Sequence, residues 1–531
     1  MTSDAGRSAI AWDEEYDLVV VGSGLAGMAA AVRASVDTGL RVLVVEKTDL
    51  LGGTAAFSGG QIWLPGNDRA AERGIEDSIE EGVRYVAALA VDRSNETLTR
   101  TVLSNGLEAA RYFEREIGLR LHLLDFPDYY YPGAPGSLAK GRYLEPDPVD
   151  PDEVRAIIPR LRRPEVTVDP TVQHRATAAA SAPEGHLSAG ASLMAWFVGS
   201  AARLGVQMRT ACPLRDLVME DGTVVGVQVS QADEVRNIRA TSAVLVATGG
   251  YDWNLDLMRM YEGIRSENYG SAAPPGNDGD GLVIAAAHGA MVATLPPHQA
   301  PMQLGYNDGI RPDGLPKWHA AGASPHGIIV NRSGQRFADE SFYPQINAHL
   351  HHYDAVGCSY RNWPAFLIFD QTYRELMTTG ALSADAHIRE GLATQADNLR
   401  TLGERAGIDP DGLEREVERW NTYDAAGKDD DFHRGEIPWT RPRFNVASLG
   451  AIETPPFYAI ELGRIGYGSP SAGLAVDESC RVLRYGGAPI PGMYAAGNVV
   501  ARLDVGFLFQ SGLANGRAMG MGYAVARSLL A

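Results

Sequence analysis

The sequence predicts an α/β chain in which a Rossmann-type dinucleotide-binding unit frames an inserted α+β unit, and three observations carry that prediction. Residues 16–21 (YDLVVV) form a short β-branched run, the glycine-rich GSGLAGMAAAVRAS follows with helix-forming alanines, and RVLVVE makes a second run. The implied order is strand, tight turn, helix, strand, and near-continuous apolar strands suit a parallel sheet covered on both faces. From about residue 293 to 446 the pattern breaks into mixed short strands and helices, with aromatics, histidines and prolines interspersed. The last segment, GMYAAGNVV through GYAVARSLLA, returns to strand, glycine loop and helix. Residues 1–292 and 447–531 are therefore expected to form one unit, with 293–446 as the catalytic insertion.

Between these landmarks the elements follow in order. Residues 74–118 alternate charges with apolar residues at helical spacing, whereas 124–170 carry a dense run of Pro, Tyr and Asp and should be irregular. From Leu187 the chain reads as helix, strand and hairpin, with Asp221-Gly222 as the turn. ATSAVLVATGG then supplies another buried strand ending in glycines.

Composition excludes several classes. At 531 residues and 45% hydrophobic the chain can bury a sizeable core, and its net charge of -19 argues against a nucleic-acid or anionic-membrane surface. Cys212, Cys358 and Cys480 form no CxxC or Cys/His cluster, so neither a disulfide framework nor a metal site is expected, and a reducing cytoplasm is the natural setting. No targeting pattern or membrane-spanning apolar run is present in the sequence.

The fingerprint is Gly22-x-Gly24-x-x-Gly27, after a strand and opening a helix, with Glu46 ending the next strand. The first glycine permits the tight turn, the second lets backbone approach a pyrophosphate, and the third lets helix pack on strand; the helix N-terminus offers amides to phosphates. Glu46 suits ribose hydroxyls. By itself this pattern fits NAD as well as FAD. The next segment, LGGTAAFSGGQIWLP, brackets Thr54 and Ser58 between Gly52, Gly53, Gly59 and Gly60, so amides and hydroxyls can line a cofactor at close range.

With GSGLAGMAA, VVEKTDLLGGTAAFSGG, VLVATGGYDWN, GNDGDGLVIAAAHGA, GIIVNRSGQRFADES, PPFYAIEL and IPGMYAAGN in this order, the chain resembles the fumarate reductase and 3-ketosteroid dehydrogenase superfamily of FAD flavoproteins. The resemblance covers nearly the whole chain and implies a glutathione-reductase-like FAD domain with an inserted catalytic domain. It implies that Gly22, Ser23, Gly24, Gly27, Glu46 and Lys47 surround the adenosine and pyrophosphate, with Leu214 offering backbone to adenine. It places Gly53, Thr54, Ser58, Gly59, Gly60, Ala247, Thr248, Gly249, Asp280, Gly497 and Asn498 toward the flavin, and Gly512, Leu513 and Ala514 at the start of a helix aimed at the flavin ring. Gly53 stands where the succinate dehydrogenase branch has its flavin-linking histidine, so the FAD should be noncovalent.

Fumarate reductases carry an arginine proton donor beyond RFxxE; here Tyr343 and Pro344 occupy that place. The ketosteroid dehydrogenase branch instead has tyrosines around the flavin, matched here by PDYYYPGAPG, residues 127–136, and by Tyr343. The resemblance therefore implies desaturation of a C–C bond beside a ketone in a hydrophobic, steroid-like substrate, with Tyr343, Tyr129 or Tyr130 moving the proton and Gly512 helping to hold the carbonyl. Leu508 departs from the pattern, replacing the tyrosine that partners that glycine. A quinone or other small molecule is the expected electron partner. Reduction of an activated alkene and a non-catalytic flavin-binding role are the alternatives. His349, His351 and His352, at successive spacings of two and one, are read as structural or solvated, while Arg517 is a candidate for substrate or flavin contact.

Overall fold

A computed structural model describes residues 10–163, 182–232, 234–264, 268–296, 302–310, 316–321, 325–378, 388, 390–440 and 449–530. Among them the largest sheet runs in the order Arg481–Leu483, Pro489–Ala495, Glu234–Val246, Glu14–Val21, Val42–Val45 and Gln207–Arg209. The strands Thr223–Gln231 and Leu214–Glu220 branch from Glu234–Val246. Val21 is in parallel register with Val45 on one side and Val246 on the other, and Ala495 with Val246. The glycine-ended segments therefore emerge side by side at one edge of the sheet.

Leu18, Val19 and Val20 are fully buried, with the helix Leu25–Thr38 packed on this strand and on its neighbour Val42–Val45. The helix Leu25–Thr38 packs on Ala189–Arg203 and on the closing helix Leu513–Ser528. That last contact is close: a Cβ at Gly522 would meet the Ala26 carbonyl oxygen at 2.2 Å. The Asp221-Gly222 hairpin forms as read, with both residues at positive φ and Glu220 paired to Thr223. Residues 74–118 supply the helices Ile79–Ala90 and Glu96–Ile117, capped by the side chains of Ser78 and Asn95.

The stretch expected to be irregular contains a strand. Tyr143–Pro146 lies between Leu121–Leu124 and Ile62–Trp63 in an antiparallel sheet. Its YLEP sequence hides this, since the proline falls on the last strand residue, where a missing amide costs least. Of the remainder, residues 164–170 lie outside the described residues.

A second layer contains the antiparallel sheet Gly327–Asn331, Ala365–Phe369, Phe457–Glu461 and Thr394–Ala396. Met302–Ile310 and Gly463–Gly466 pair in a neighbouring sheet with Tyr269–Ser271 and Pro316–Ala320. The RFADE segment anchors this layer. Arg336 donates to both Glu340 oxygens, at 2.7 and 2.8 Å, and to Asp429 at 2.8 and 3.1 Å, all buried. Between the layers, Trp63, Tyr85, Tyr129, Tyr143, Phe342 and Trp439 make an aromatic core. Among the described residues no helix is long and apolar enough to cross a membrane.

Candidate functional site

The parallel strand ends open onto a cavity of about 310 Å³. Its walls follow the chain in an orderly way. Gly22–Ala26 and Val45–Thr48 come from the first two strand ends, Ala247–Gly249 from the third, and Ala496–Asn498 from the fourth. Gly53–Ala55 and Phe57–Gly59 form one side, and Phe509–Gly512 another.

Glycine is required where these segments touch. Gly22 has φ +108°, and a Cβ there would lie 2.4 Å from the Ala247 carbonyl oxygen of the neighbouring strand. A Cβ on Gly27 would lie 2.2 Å from the Gly22 oxygen, so Gly27 holds the turn from behind without lining the cavity. Gly24 differs. A Cβ on it would meet nothing within 4 Å, so the space at this cavity wall is open. Gly24 and Gly512 are also the N-caps of Leu25–Thr38 and Leu513–Ser528, and neither helix has a side-chain cap. Two sets of N-terminal amides are thus left for an anionic ligand.

Charge is distributed to match. Glu46 accepts from the Ser23 hydroxyl at 2.8 Å and the Ser23 amide at 3.2 Å, and its other oxygen accepts from Thr48. These bonds fix the carboxylate at the rim beside Cys212 and Leu214. Lys47 donates to Asp278 and Asp280 at 2.7 Å each. Burial opposes its charge, yet the two carboxylates hold its ammonium above the usual range. Arg162 reaches the same rim and donates to Thr48 at 2.7 Å, and burial lowers its pKa against the attraction of Glu46. In mid-cavity, Asn277 donates to the Thr54 hydroxyl at 3.0 Å, and Asn515 donates to the Ser58 hydroxyl at 3.2 Å.

The far end is aromatic. Tyr129 lines it, with its ring 4.0 Å from Trp439, 6.1 Å from Phe509 and 6.3 Å from Phe342. Gln510 is clamped there: its amide oxygen accepts from the Tyr85 hydroxyl at 2.7 Å and the Tyr129 amide at 3.2 Å, and its nitrogen donates to the Tyr143 hydroxyl. Tyr467 enters from the second layer, its hydroxyl donating to Gln303. Asp252 accepts from the Gly468 amide at 2.9 Å and so holds the loop bearing Tyr467. Burial pushes its carboxyl up to about 6.

Against the sequence expectations, Gly22, Ser23, Gly24, Glu46, Lys47, Gly53, Thr54, Ser58, Gly59, Leu214, Ala247, Thr248, Gly249, Asp280, Gly497, Asn498, Gly512 and Ala514 all line this cavity. Gly60 packs against Ala189 and Gly190, and Leu513 belongs to the aromatic core. Tyr130 stands outside the lining with its ring 5.3 Å from Phe342. Tyr343 opens the helix Tyr343–Leu350 directly after Phe342; its side chain lies outside the described residues. Arg517 does not contact the cavity as anticipated. It is bound to Asp504 at 2.5 Å and to the carbonyls of Gly497, Val500 and Ala501, tying the closing helix to the glycine loop. His351 approaches Arg464 at 3.4 Å, and the neighbouring histidines do not join the cavity wall. Arg162, Asn277, Tyr467 and Gln510 were not read from sequence. Tyr467 had a signal in its flanking glycines, GYG, which bring backbone close to Thr54.

These features fit a dinucleotide whose phosphates meet the uncapped helix at Gly24 and whose far ring reaches the helix at Gly512. Gly53 has no side chain for covalent attachment, and no histidine is among the described lining residues. The profile for FAD binding domain matches residues 17–509. The 4-oxocyclohexanecarboxylate 2-dehydrogenase of Sinomonas cyclohexanicum is 33% identical over 97% of this chain and 92% of its own length. The 3-oxosteroid 1-dehydrogenase of Mycolicibacterium smegmatis is 31% identical and covers 98% of each chain. The crystal structure of 3-ketosteroid delta1-dehydrogenase from Sterolibacterium denitrificans, in complex with 1,4-androstadiene-3,17-dione, superposes with a TM-score of 0.82 at 28% identity, covering 97% of this chain and 99% of that one. Sequence pattern, cavity and relatives agree: the chain belongs to the FAD binding domain family and is an FAD-dependent oxidoreductase.

Proposed function

We propose that the protein desaturates the C–C bond beside the carbonyl of a compact hydrophobic ketone. The observation that carries this is the far end of the cavity, where Tyr129 and Tyr467 present hydroxyl-bearing rings among Phe509, Gln510 and Ser511. Relatives named for 4-oxocyclohexanecarboxylate and 3-oxosteroids support a cyclic ketone as the substrate class. Gln510 fills the aromatic core with its clamped side chain, which favours a single ring over a fused ring system.

When bound, FAD supplies the acceptor for the hydride equivalent leaving the β-carbon. The chain's own part is to hold the ketone, polarise its carbonyl as enolate character develops, and take the α-proton. Gly512, at the head of an uncapped helix, and its neighbouring amides are the carbonyl-side donors. For the proton we assign Tyr343 first, since it follows Phe342, which packs against both Tyr129 and Tyr130. Tyr129 is preferred over Tyr130 as the second candidate, because Tyr129 lines the cavity. We also propose that residues 293–446 act as the substrate-facing unit and that a quinone or similar small molecule reoxidises the enzyme.

The test is anaerobic stopped-flow mixing of the yellow holoprotein with a panel of cyclohexanones and 3-ketosteroids. Bleaching of the flavin by a saturated ketone is the expected result. Reoxidation of the reduced protein by enones, without bleaching by any saturated ketone, would reverse the direction and favour alkene reduction.

A further inference from the structure

We propose that Arg502 receives a carboxylate of the substrate, so that the ketone acted on is an oxo acid. This deepens the desaturation reading above and rests on it. Arg502 is 7% exposed and sits behind the loop that closes the aromatic end of the cavity. One end of its guanidinium, Nη2, donates to the Leu508 carbonyl. The other, Nη1, is buried and has no hydrogen-bond partner among the described residues. Arg502 is part of the wall of a recess of about 30 Å³. Ser469, Asn498, Phe509, Gln510 and Ala514 line both this recess and the large cavity, so the two spaces adjoin.

No carboxylate among the described residues is hydrogen-bonded to this guanidinium. Asp504 acts on it only at a distance and is bound to Arg517 at 2.5 Å, so two guanidiniums share one carboxylate. Glu262 also faces this region, but burial raises its pKa while it accepts from Tyr251 and Ser471. Burial, then repulsion by Arg517, pushes Arg502 down to about 10. A buried cation with an idle donor is costly unless an anion completes it, and buried polar groups in folded proteins are almost always satisfied.

The flavin phosphates do not serve as that anion in this arrangement. Gly22–Gly24 and Lys47, which suit a pyrophosphate, lie with Glu46 at the adenosine end, whereas Arg502 lies beside Phe509 and Gln510 at the aromatic end. A recess of this size, on the order of the space one water occupies, admits one carboxylate oxygen while the rest of the ligand stays in the larger cavity. A cyclic ketone bearing a carboxylate across the ring has both groups the two spaces ask for: a carbonyl for the Gly512 end and an anion for Arg502.

The decisive measurement uses the oxidised holoprotein and ligands that cannot react. Cyclohexanecarboxylate and its neutral carboxamide are titrated separately, following perturbation of the flavin absorbance. The carboxylate is expected to bind about 10²-fold more tightly than the amide, the scale of a charged hydrogen-bonded pair out of water. That preference should vanish in Arg502→Met and persist in part in Arg502→Lys. Equal binding of the two ligands to the wild-type protein overturns the proposal without recourse to any variant. A preference that survives in flavin-loaded Arg502→Met overturns it as well. If Arg502→Met does not retain flavin, Arg502→Lys and the wild-type pair decide. Failure of every ketone to bleach the flavin counts against the desaturation reading alone, because binding of an inert carboxylate needs no turnover.

Discussion

Replacing Gly24 by alanine should separate folding from cofactor binding in one methyl group. Gly24 sits at φ -67° and ψ 176°, a conformation any residue adopts, and its Cβ would meet nothing within 4 Å. The FAD-free Gly24→Ala protein should therefore be as stable as the wild type, or more stable by about 0.4–1 kcal/mol through the restricted unfolded chain. The same methyl stands in the cavity wall beside the uncapped helix. Forcing a methyl into a filled contact costs about 1–3 kcal/mol, so FAD affinity should fall by roughly 5- to 150-fold. Gly22→Ala supplies the contrast. At φ +108°, with the Cβ 2.4 Å from the Ala247 oxygen and 2.8 Å from its carbonyl carbon, the clash is with backbone of an adjacent parallel strand and has no side-chain escape. That variant should lose stability even without FAD, by more than about 2 kcal/mol. Urea melts of the apoproteins and FAD titrations followed by flavin fluorescence measure both quantities. Wild-type FAD affinity in Gly24→Ala, or apoprotein destabilisation equal to that of Gly22→Ala, would refute the assignment of this turn to the phosphates.

Other perturbations probe the rest of the molecule. Tyr343→Phe should slow flavin reduction by the roughly 10²–10⁴ typical of general acid–base groups while FAD stays bound; a wild-type rate in stopped flow moves the proton role to Tyr129. Arg336→Met removes the guanidinium that Glu340 and Asp429 share, leaving Glu340 the longer ion pair to Arg434 at 3.7 Å, and should cost about 3–5 kcal/mol in denaturant melts, with no such loss telling against a structural role for RFADE. Asp252 has a folded-state pKa, about 6, above its reference of 3.8, so its contribution to stability is whole below about pH 4 and is lost as pH rises toward 6. Asp252→Asn should remove that dependence, worth about 3 kcal/mol across the window; parallel pH profiles for the two proteins would show the carboxyl to be ordinary.

The cofactor half could be read from sequence because its chemistry is carried by backbone. Gly22 is constrained by backbone at the end of the neighbouring strand and Gly27 by the turn in front of it, while Gly24 stands bare at the cavity wall, and the strands that frame this turn are uninterrupted apolar runs. Such constraints leave glycines at fixed offsets, which a single sequence displays. The aromatic end was harder for the opposite reason. Gln510, Tyr143 and Tyr85 come from three distant stretches and meet only through side-chain hydrogen bonds, which leave no spacing behind. The strand Tyr143–Pro146 was hidden by its own composition, and Arg517, the cation beside the flavin end of the closing helix, proved to be spent on Asp504 and three carbonyls.

The position of Leu508 shows how the loop can differ from its relatives and still close the site. Leu508 is 1% exposed and belongs to the same aromatic core as Tyr129, Tyr143 and Trp439. Its side chain thus contributes packing, while its carbonyl is the acceptor that orients Arg502. A tyrosine there would bring a hydroxyl into that core and would have to displace a neighbour to reach the cavity, since overpacking by even a few atoms shifts side chains or backbone. The tyrosines that line this end of the cavity are Tyr129 and Tyr467, and Gln510 stands beside them, accepting from the Tyr129 amide. With the carbonyl-side tyrosine gone and a guanidinium held by the same turn, orientation of the ketone in the proposed reaction rests on one set of helix amides and one charge. Selectivity between an oxo acid and its neutral amide is consequently the property on which this loop and its tyrosine-bearing relatives should differ most.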